Sequence, residues 1–261
     1  MDGKNDRIIV GVAIGESYER QAQVMLESFL RNNGGWDAKI YLGNEIDGLL
    51  PRQFHNETPF NKSEVGRWCA IRKALQDGYK TALYCDNDIF FYGKYEPLGN
   101  ALVLFPHYVT DKAKRIGAHW LIQDGVPNLG MFEASGLEGA EICTIVIDEV
   151  SRNPRAFMHP NGSVIWLQNM ATYLPYIGRD VVYNNSPSHN VAHWNLKRED
   201  RIVEKILEGY DDMQVICDDT SYPLLSFHFS AKGINNLHIY GSAVRELRDN
   251  YRKLITCHNS N

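Results

Sequence analysis

The sequence lacks the features that mark several large classes of protein. Its five cysteines are odd in number and show no C-x-x-C spacing, which argues against a disulfide framework or a cysteine-rich zinc site. No apolar run approaches the roughly 20 residues that a membrane-spanning helix requires. The first residues, MDGKNDRIIVG, lead into a strand-like segment without the pattern of a signal peptide. We therefore expect a cytoplasmic protein with free thiols and no transmembrane segment.

An excess of positive charge is also missing. The formal net charge is −5, and no block of Lys or Arg could follow a phosphate backbone, so we do not expect nucleic acid as a partner. What the chain has is an ordinary globular composition, with 44% hydrophobic and 23% charged residues over 261 positions. No internal repeat, low-complexity tract or linker is visible. The simplest prediction is one domain, residues 1–261, with an ample core.

Strands and helices alternate in the first part of the chain. The pattern predicts strands at 7–14, 38–43, 81–85 and 89–92, and helices at 18–32 and 63–77, with Ser63 as N-cap of the second. This alternation is typical of a parallel α/β sheet. The second part is more irregular, with predicted strands at 101–106, 128–135, 179–185 and 224–230 and helices at 139–153, 163–174 and 242–255.

A pair of carboxylates stands between two apolar runs in YKTALYCDNDIFFYGK. In an extended segment Asp86 and Asp88 would face the same volume, where a divalent ion such as Mg²⁺ or Mn²⁺ would balance their charges. They follow a predicted buried strand, and ligands of open α/β sheets bind beyond the carboxyl ends of strands. The alternative is a solvated turn, because Asp and Asn are common turn residues.

The longer stretch SEVGRWCAIRKALQDGYKTALYCDNDIFF resembles the GT-A fold of nucleotide-sugar-dependent glycosyltransferases, especially the galactosyltransferase and glycogenin-like family. The resemblance implies an α/β fold with a Rossmann-like mixed sheet flanked by helices. It also implies a nucleotide-sugar half at 1–105 and an acceptor-side half at 106–261. The implied partners are Mn²⁺ or Mg²⁺, a UDP-sugar in preference to a GDP-sugar, and the hydroxyl of a glycan.

By this resemblance Asp86 would contact the sugar or ribose and share in the metal site, while Asp88 coordinates the metal on the donor diphosphate. In FHFSAKG, His228 would complete the metal shell and Lys232 would reach the diphosphate. The strand period of two places the flanking Phe227 and Phe229 on the opposite side from His228, whose alternative role is that of a core histidine.

Other donor contacts are implied at the start of the chain and on the second helix. Ala13 and Ile14 in VGVAIGESY would lie beside the nucleoside, although an ordinary first strand fits equally well. Arg67 shares a helical stripe with small apolar residues and could reach a phosphate. The alternative is an Arg67 side chain that extends to the surface.

Acceptor contacts are implied by two later motifs. Asn128 and Gly130 in PNLGMF match an N-x-G strand that lines the acceptor side. The segment SPSHNVAHWNLKRED offers hydrogen-bonding groups on Asn190 and His193 and a stacking surface on Trp194. Each motif also has a purely structural interpretation. PNLGMF could be a Gly-kinked strand, and SPSHNVAHWNLKRED could be a loop packed by Trp194.

The reacting centre is less defined by the sequence. WLQNM resembles the D-Q motif of the family, with Gln168 retained beneath the donor sugar. Leu167 stands in place of the Asp, so the identity of the donor sugar is left open. We expect retention of stereochemistry; an inverting enzyme would need a base such as Asp124 or Glu133. The alternatives are a haloacid-dehalogenase-like phosphatase, which carries its Asp-x-Asp after the first strand, and a non-catalytic carbohydrate-binding protein.

Overall fold

The structure is a computed structural model that describes residues 5–106, 127–158, 165, 167, 170–171, 174–184, 186–192, 201–205, 212–217, 219–229 and 242–257. The α-helices with bounds in the described residues are α1 Glu16–Asn32, α2 Gly43–Leu49, α3 Pro59–Gln76, α4 Gly136–Arg152 and α5 Ser242–Cys257. The strands are β1 Arg7–Ala13, β2 Asp37–Leu42, β3 Thr81–Cys85, β4 Ile89–Phe91, β5 Leu102–Pro106, β6 Pro127–Ser135, β7 Val181–Tyr183, β8 Val191–Ala192, β9 Arg201–Lys205, β10 Met213–Cys217, β11 Thr220–Pro223 and β12 Ser226–His228. The predicted helix at 163–174 lies largely outside the described residues. Within the part of the chain that is described, no helix has the length and apolar character needed to cross a membrane.

The main sheet has six strands in the order β2-β1-β3-β6-β5-β7. The strands β1, β2 and β3 run parallel, as the alternating pattern predicts. β6 is antiparallel to both of its neighbours, β3 and β5, whereas β7 is parallel to β5. The sheet as a whole is therefore mixed.

The two faces of this sheet are built by the alternation of side chains along each strand. In β3, Ala82 and Tyr84 face the core that contains α3 and α4, while Leu83 and Cys85 face the core that contains α1. Because residues in register across a sheet point to the same side, the register also assigns the faces of the neighbouring strands.

A second, three-stranded sheet has the order β4-β12-β8, with β4 antiparallel and β8 parallel to β12. The chain thus leaves the main sheet after β3 and enters the small sheet at β4. A third sheet of antiparallel strands, β11-β10-β9, shares a core with α5 and with Phe227 and Phe229. The passage from one sheet to the other takes place at Asp86–Asp88.

The start of α3 and the presence of α2 are two differences from the prediction. Helix α3 begins at Pro59, and the hydroxyl of Thr58 caps it by accepting a hydrogen bond from the backbone N–H of Asn61 at 3.3 Å. Ser63 lies within the helix, so its assignment as N-cap is wrong. Proline at the first helical position has the required φ and needs no hydrogen-bond partner, which explains the earlier start. Helix α2 was not predicted, and Glu45 closes its first turn by accepting from the N–H of Leu42.

Candidate active site

The Asp86–Asp88 segment is a turn. The N–H of Asp86 donates to the carbonyl of Gly130 at 2.7 Å, and the N–H of Ile89 donates back to the carbonyl of Asp86 at 3.1 Å. The expected extended geometry of this segment is therefore wrong, but the expectation that Asp86 and Asp88 lie close together is correct. One oxygen of Asp86, one of Asp88 and one nitrogen of His228 all lie within 4.8 Å of one another. The turn brings the carboxylates together by folding the backbone.

His228 reaches this turn because β12 pairs with β4. His228 lies opposite Ile89 in the register, and the N–H of Phe229 donates to the carbonyl of Asp88 at 2.8 Å. Nε2 of His228 is 3.0 Å from Oδ1 of Asp88 and 3.8 Å from Oδ2 of Asp86. Phe227 and Phe229 pack into the opposite core, as the strand period predicts. His228 is therefore placed against the two carboxylates.

The electrostatics of this group follow from the contact between Asp88 and His228. Burial is the largest single influence on Asp88 and favours its neutral carboxyl, but the charge and hydrogen bond of His228, together with a backbone hydrogen bond and the charge of Arg67, hold the pKa of Asp88 below its ordinary value. Burial is also the largest single influence on His228 and disfavours its charged imidazole, but the charge and hydrogen bond of Asp88 together with the charge of Asp86 raise the pKa of His228. Asp88 stays ionised at neutral pH and can act as a ligand for a cation.

The donor set of this site fits a hard divalent cation. Two carboxylates and an imidazole are a suitable set for Mn²⁺, and carboxylates suit Mg²⁺. A cation would compete with a proton for the nitrogen of His228. The site is partly shielded, because His228 is 5% exposed while the two carboxylates are more accessible.

The N-x-G motif lies next to Asp86 and His228. The Oδ1 atom of Asn128 accepts a hydrogen bond from the N–H of Gly130 at 2.9 Å, and Asn128 is 4% exposed. A Cβ at position 130 would lie 2.6 Å from Cε1 of His228 and 2.9 Å from Oδ2 of Asp86. Glycine is required here because a side chain would occupy the space of the His228 imidazole and the Asp86 carboxylate.

Arg67 lies beneath the site and does not extend to the surface. It is 6% exposed, and its Nη1 donates to the carbonyl of Leu129 at 2.7 Å. Its Nη2 forms a buried ion pair with Glu64 and lies 3.7 Å from Oδ1 of Asp86. The surface alternative for Arg67 is therefore wrong.

Two further residues of the site were not found from the sequence. Glu64 is 5% exposed; burial raises its pKa, and the charge of Arg67 opposes that shift. Its position three residues before Arg67 on one helix could have suggested the pair. Tyr84 donates its hydroxyl to Oδ1 of Asp86 at 2.7 Å, and Arg67 lies 5.1 Å from the centre of its ring. The alternation along β3 would have placed Tyr84 on the same face as α3, had the position of that helix been known.

A cavity of about 250 Å³ opens above this group. Arg67, Tyr84, Asp86 and Asp88 line it on the inside, and Ile14, Tyr18 and Phe60 are among its apolar lining residues. Tyr18 and Phe60 are exposed to 53% and 44%. Ala13, expected beside Ile14 at the nucleoside, is fully buried at the end of β1 and is not among the lining residues that the structure describes.

Glu133, one of the two candidate bases, lies elsewhere. It is paired in register with Leu83, on the face of the sheet that carries α1. The side chain is fully buried, and its oxygens accept from the hydroxyl of Tyr95 at 2.6 Å and the N–H of Gly99 at 2.8 Å. The structure thus places Glu133 outside the candidate site, on a face that sequence reasoning had not assigned.

Asn190 lies beside the small sheet. Its backbone N–H donates to the hydroxyl of Ser226 at 2.7 Å, and the residue is 5% exposed with a φ of 49°. Leu167 is fully buried in the core with α3 and α4. The remaining predicted site residues lie outside the described part of the chain: Asp124, Gln168, His193, Trp194 and Lys232.

Two solved structures are similar to this chain over most of its length. A glycosyltransferase involved in the glycosylation of the major capsid of PBCV-1 is 14% identical, with 85% of this chain and 92% of that chain covered and a TM-score of 0.51. The galactosyltransferase LgtC, solved with donor and acceptor sugar analogues, is 13% identical, with coverages of 96% and 95% and a TM-score of 0.53. No model of a protein family matches the sequence, and no curated protein matches it. Likeness at such low identity shows the fold, and the mixed α/β GT-A fold expected from the sequence is confirmed.

Proposed function

We propose that this protein is a metal-dependent glycosyltransferase that moves a sugar from a nucleoside-diphosphate donor to a hydroxyl of a glycan. The observation that carries the proposal is the convergence of Asp86, Asp88 and His228 within 4.8 Å, beside a cavity that the two carboxylates line. This convergence lies where the parallel strands of the main sheet end, which is where ligands of open α/β sheets bind. The GT-A fold shared with two glycosyltransferases supports the same reaction class.

In this proposal Asp86, Asp88 and His228 hold Mn²⁺ or Mg²⁺. When bound, the metal supplies positive charge to the diphosphate as it leaves the sugar. Arg67 lines the cavity and adds positive potential at the same place, although its pairing with Glu64 reduces that contribution. Lys232 would be a further cation at the diphosphate.

The outer cavity suits the nucleoside of the donor. Ile14, Tyr18 and Phe60 offer apolar and aromatic surface, and exposed aromatic rings are suitable for contact with a planar base. UDP-sugars are the favoured donors and GDP-sugars the second choice. Residues 1–105 would form the donor half, and the later residues the acceptor-side half of one domain. The buried free thiols support a reducing, cytoplasmic location: Cys69, Cys85, Cys143 and Cys217.

Transfer would proceed with retention, and Gln168 would lie beneath the donor sugar. Leu167 in place of the acidic residue leaves the identity of that sugar open. Asp124 is the base candidate if the enzyme inverts, and Glu133 is left out because both of its oxygens are engaged on the other face of the sheet. The proposed acceptor contacts are Asn128, Gly130, Asn190, His193 and Trp194.

A panel of UDP- and GDP-sugars, with and without Mn²⁺, tests the proposal. The true donor should raise the melting temperature only when the metal is present, because ligands that bind the folded state stabilise it. In the presence of Mn²⁺, the same donor should be hydrolysed slowly and release UDP or GDP. Asp88→Asn should abolish both the rise in melting temperature and this hydrolysis. A phosphatase would instead release phosphate from a small phosphoester, and a carbohydrate-binding protein would release nothing.

A further inference from the structure

The two oxygens of the Asp86 carboxylate lie in different surroundings. Oδ1 accepts the hydroxyl of Tyr84 at 2.7 Å and lies 3.7 Å from Nη2 of Arg67. Oδ2 lies 3.8 Å from Nε2 of His228 and 2.9 Å from the place that a Cβ on Gly130 would take. One oxygen is therefore held by the protein, and the other faces the remaining groups of the site.

The group that holds Oδ1 is fixed by its packing. Tyr84 is 1% exposed in the middle of the main sheet, and its ring packs 5.4 Å from the ring of Phe132. The phenol of Tyr84 has one O–H, and it donates this hydrogen to Oδ1 of Asp86. The backbone of Asp86 is anchored as well, through its N–H to Gly130.

Arg67 keeps a positive charge on the same side of the carboxylate. Its guanidinium is held by the carbonyl of Leu129 and by the carboxylate of Glu64, and it lies over the ring of Tyr84. Held from several sides, the guanidinium cannot move away from Oδ1 without breaking buried hydrogen bonds. Rotation of the Asp86 carboxylate would break the bond from Tyr84 and weaken this attraction.

We propose that Tyr84, with Arg67 behind it, limits Asp86 to a single ligand oxygen, Oδ2, and so makes the site selective for a small octahedral cation over Ca²⁺. The inference rests on the proposed function, because it concerns the same metal site. Mg²⁺-like ions take one oxygen from each carboxylate, whereas Ca²⁺ takes more oxygen ligands and often both oxygens of one carboxylate. Tyr84 is a positioning residue, since it acts through Asp86.

The experiment compares Tyr84→Phe with Tyr79→Phe. Tyr79 donates its hydroxyl to Oδ2 of Asp37 at 2.8 Å, so the control removes the same kind of Tyr–Asp bond away from the site. Affinities for Mn²⁺ and for Ca²⁺ are measured by titration calorimetry and by the electron paramagnetic resonance of free Mn²⁺, with and without UDP. Circular dichroism checks that each variant folds.

Wild type and Tyr79→Phe should bind Mn²⁺ more tightly than Ca²⁺. Tyr84→Phe should weaken the affinity for Mn²⁺ about tenfold, as expected for the loss of a bond that orients a ligand. The affinity for Ca²⁺ should fall less or not at all. An unchanged ratio of the two affinities in folded Tyr84→Phe would overturn the inference and leave the proposed function intact. If the wild type bound Mn²⁺ and Ca²⁺ with equal affinity, that result alone would overturn the inference. Failure of the wild type to bind either ion, even with UDP, would overturn the metal role in the proposed function itself.

Discussion

Substituting Gly130 by alanine adds one methyl group at the proposed metal site and nothing elsewhere. The added Cβ would lie 2.6 Å from Cε1 and 3.0 Å from Nδ1 of His228, and 2.9 Å from Oδ2 of Asp86. The backbone at this position does not have a positive φ, so alanine causes no conformational strain of its own. Whatever the substitution does must come from these contacts.

The contacts give the size of the effect. To regain a separation near 3.4 Å, the imidazole must move by about 0.8 Å and the carboxylate by about 0.5 Å. His228 is 5% exposed between buried neighbours, so little free space accommodates the shift. We expect a loss of about 1–3 kcal/mol in stability from overpacking. A ligand displaced by nearly 1 Å should reduce turnover by about 100-fold.

Gly139→Ala is the matched control. Its Cβ would lie 2.7 Å from the carbonyl oxygen of Ala101, a comparable clash on α4 with no group of the site involved. Mn²⁺ affinity, turnover of the donor and urea unfolding are measured for both variants. Both should lose stability, and only Gly130→Ala should lose Mn²⁺ affinity. A folded Gly130→Ala that binds Mn²⁺ and turns over like the wild type would refute the assignment of the site.

Three other predictions concern single side chains. Asp88→Ala should abolish metal-dependent donor turnover while circular dichroism shows an intact fold; activity at the wild-type level would remove Asp88 from the metal site. His228→Ala should raise the Mn²⁺ concentration needed for half-maximal activity, and an unchanged metal titration would contradict its role as a ligand. Burial lowers the pKa of His189 to about 4, so between about pH 6.5 and 4 the unfolded chain binds a proton that the folded one does not. Stability should therefore fall by up to about 3 kcal/mol as the pH falls through this window. His189→Phe, whose ring can keep the edge contacts with Tyr95 and Phe105, should show a flatter pH dependence of unfolding, and an unchanged slope would count against the reasoning.

Much of the fold can be predicted from local patterns. The continuous apolar runs of β1 and β3 indicate strands buried on both faces, and the stripe of apolar residues on α4 indicates a helix packed on one side. The strand period of two places His228 opposite Phe227 and Phe229. These predictions succeed because each depends only on residues that are neighbours along the chain.

Predictions that depend on which face of a strand or helix is buried are less successful. Glu133 is a candidate base for an inverting enzyme by its residue type, but its register with Leu83 places it on the α1 side of the main sheet. Arg67 could have extended to the surface or remained buried, and the close packing of α3 against the sheet and α4 decides for burial. The alternation of side chains along a strand defines two faces of the sheet, but it does not determine which face carries the site.

The sequence by itself determined that this chain forms an α/β fold and that Asp86 and Asp88 follow a buried strand, because hydrophobic periodicity is a local property. Only the tertiary structure decided that β4 leaves the main sheet to pair with β12, which brings His228 to the carboxylates across 140 residues of chain. It also decided that Tyr84 holds one oxygen of Asp86 and that Glu64 neutralises Arg67. These contacts arise from the packing of separate elements, and no periodicity within any one element specifies them.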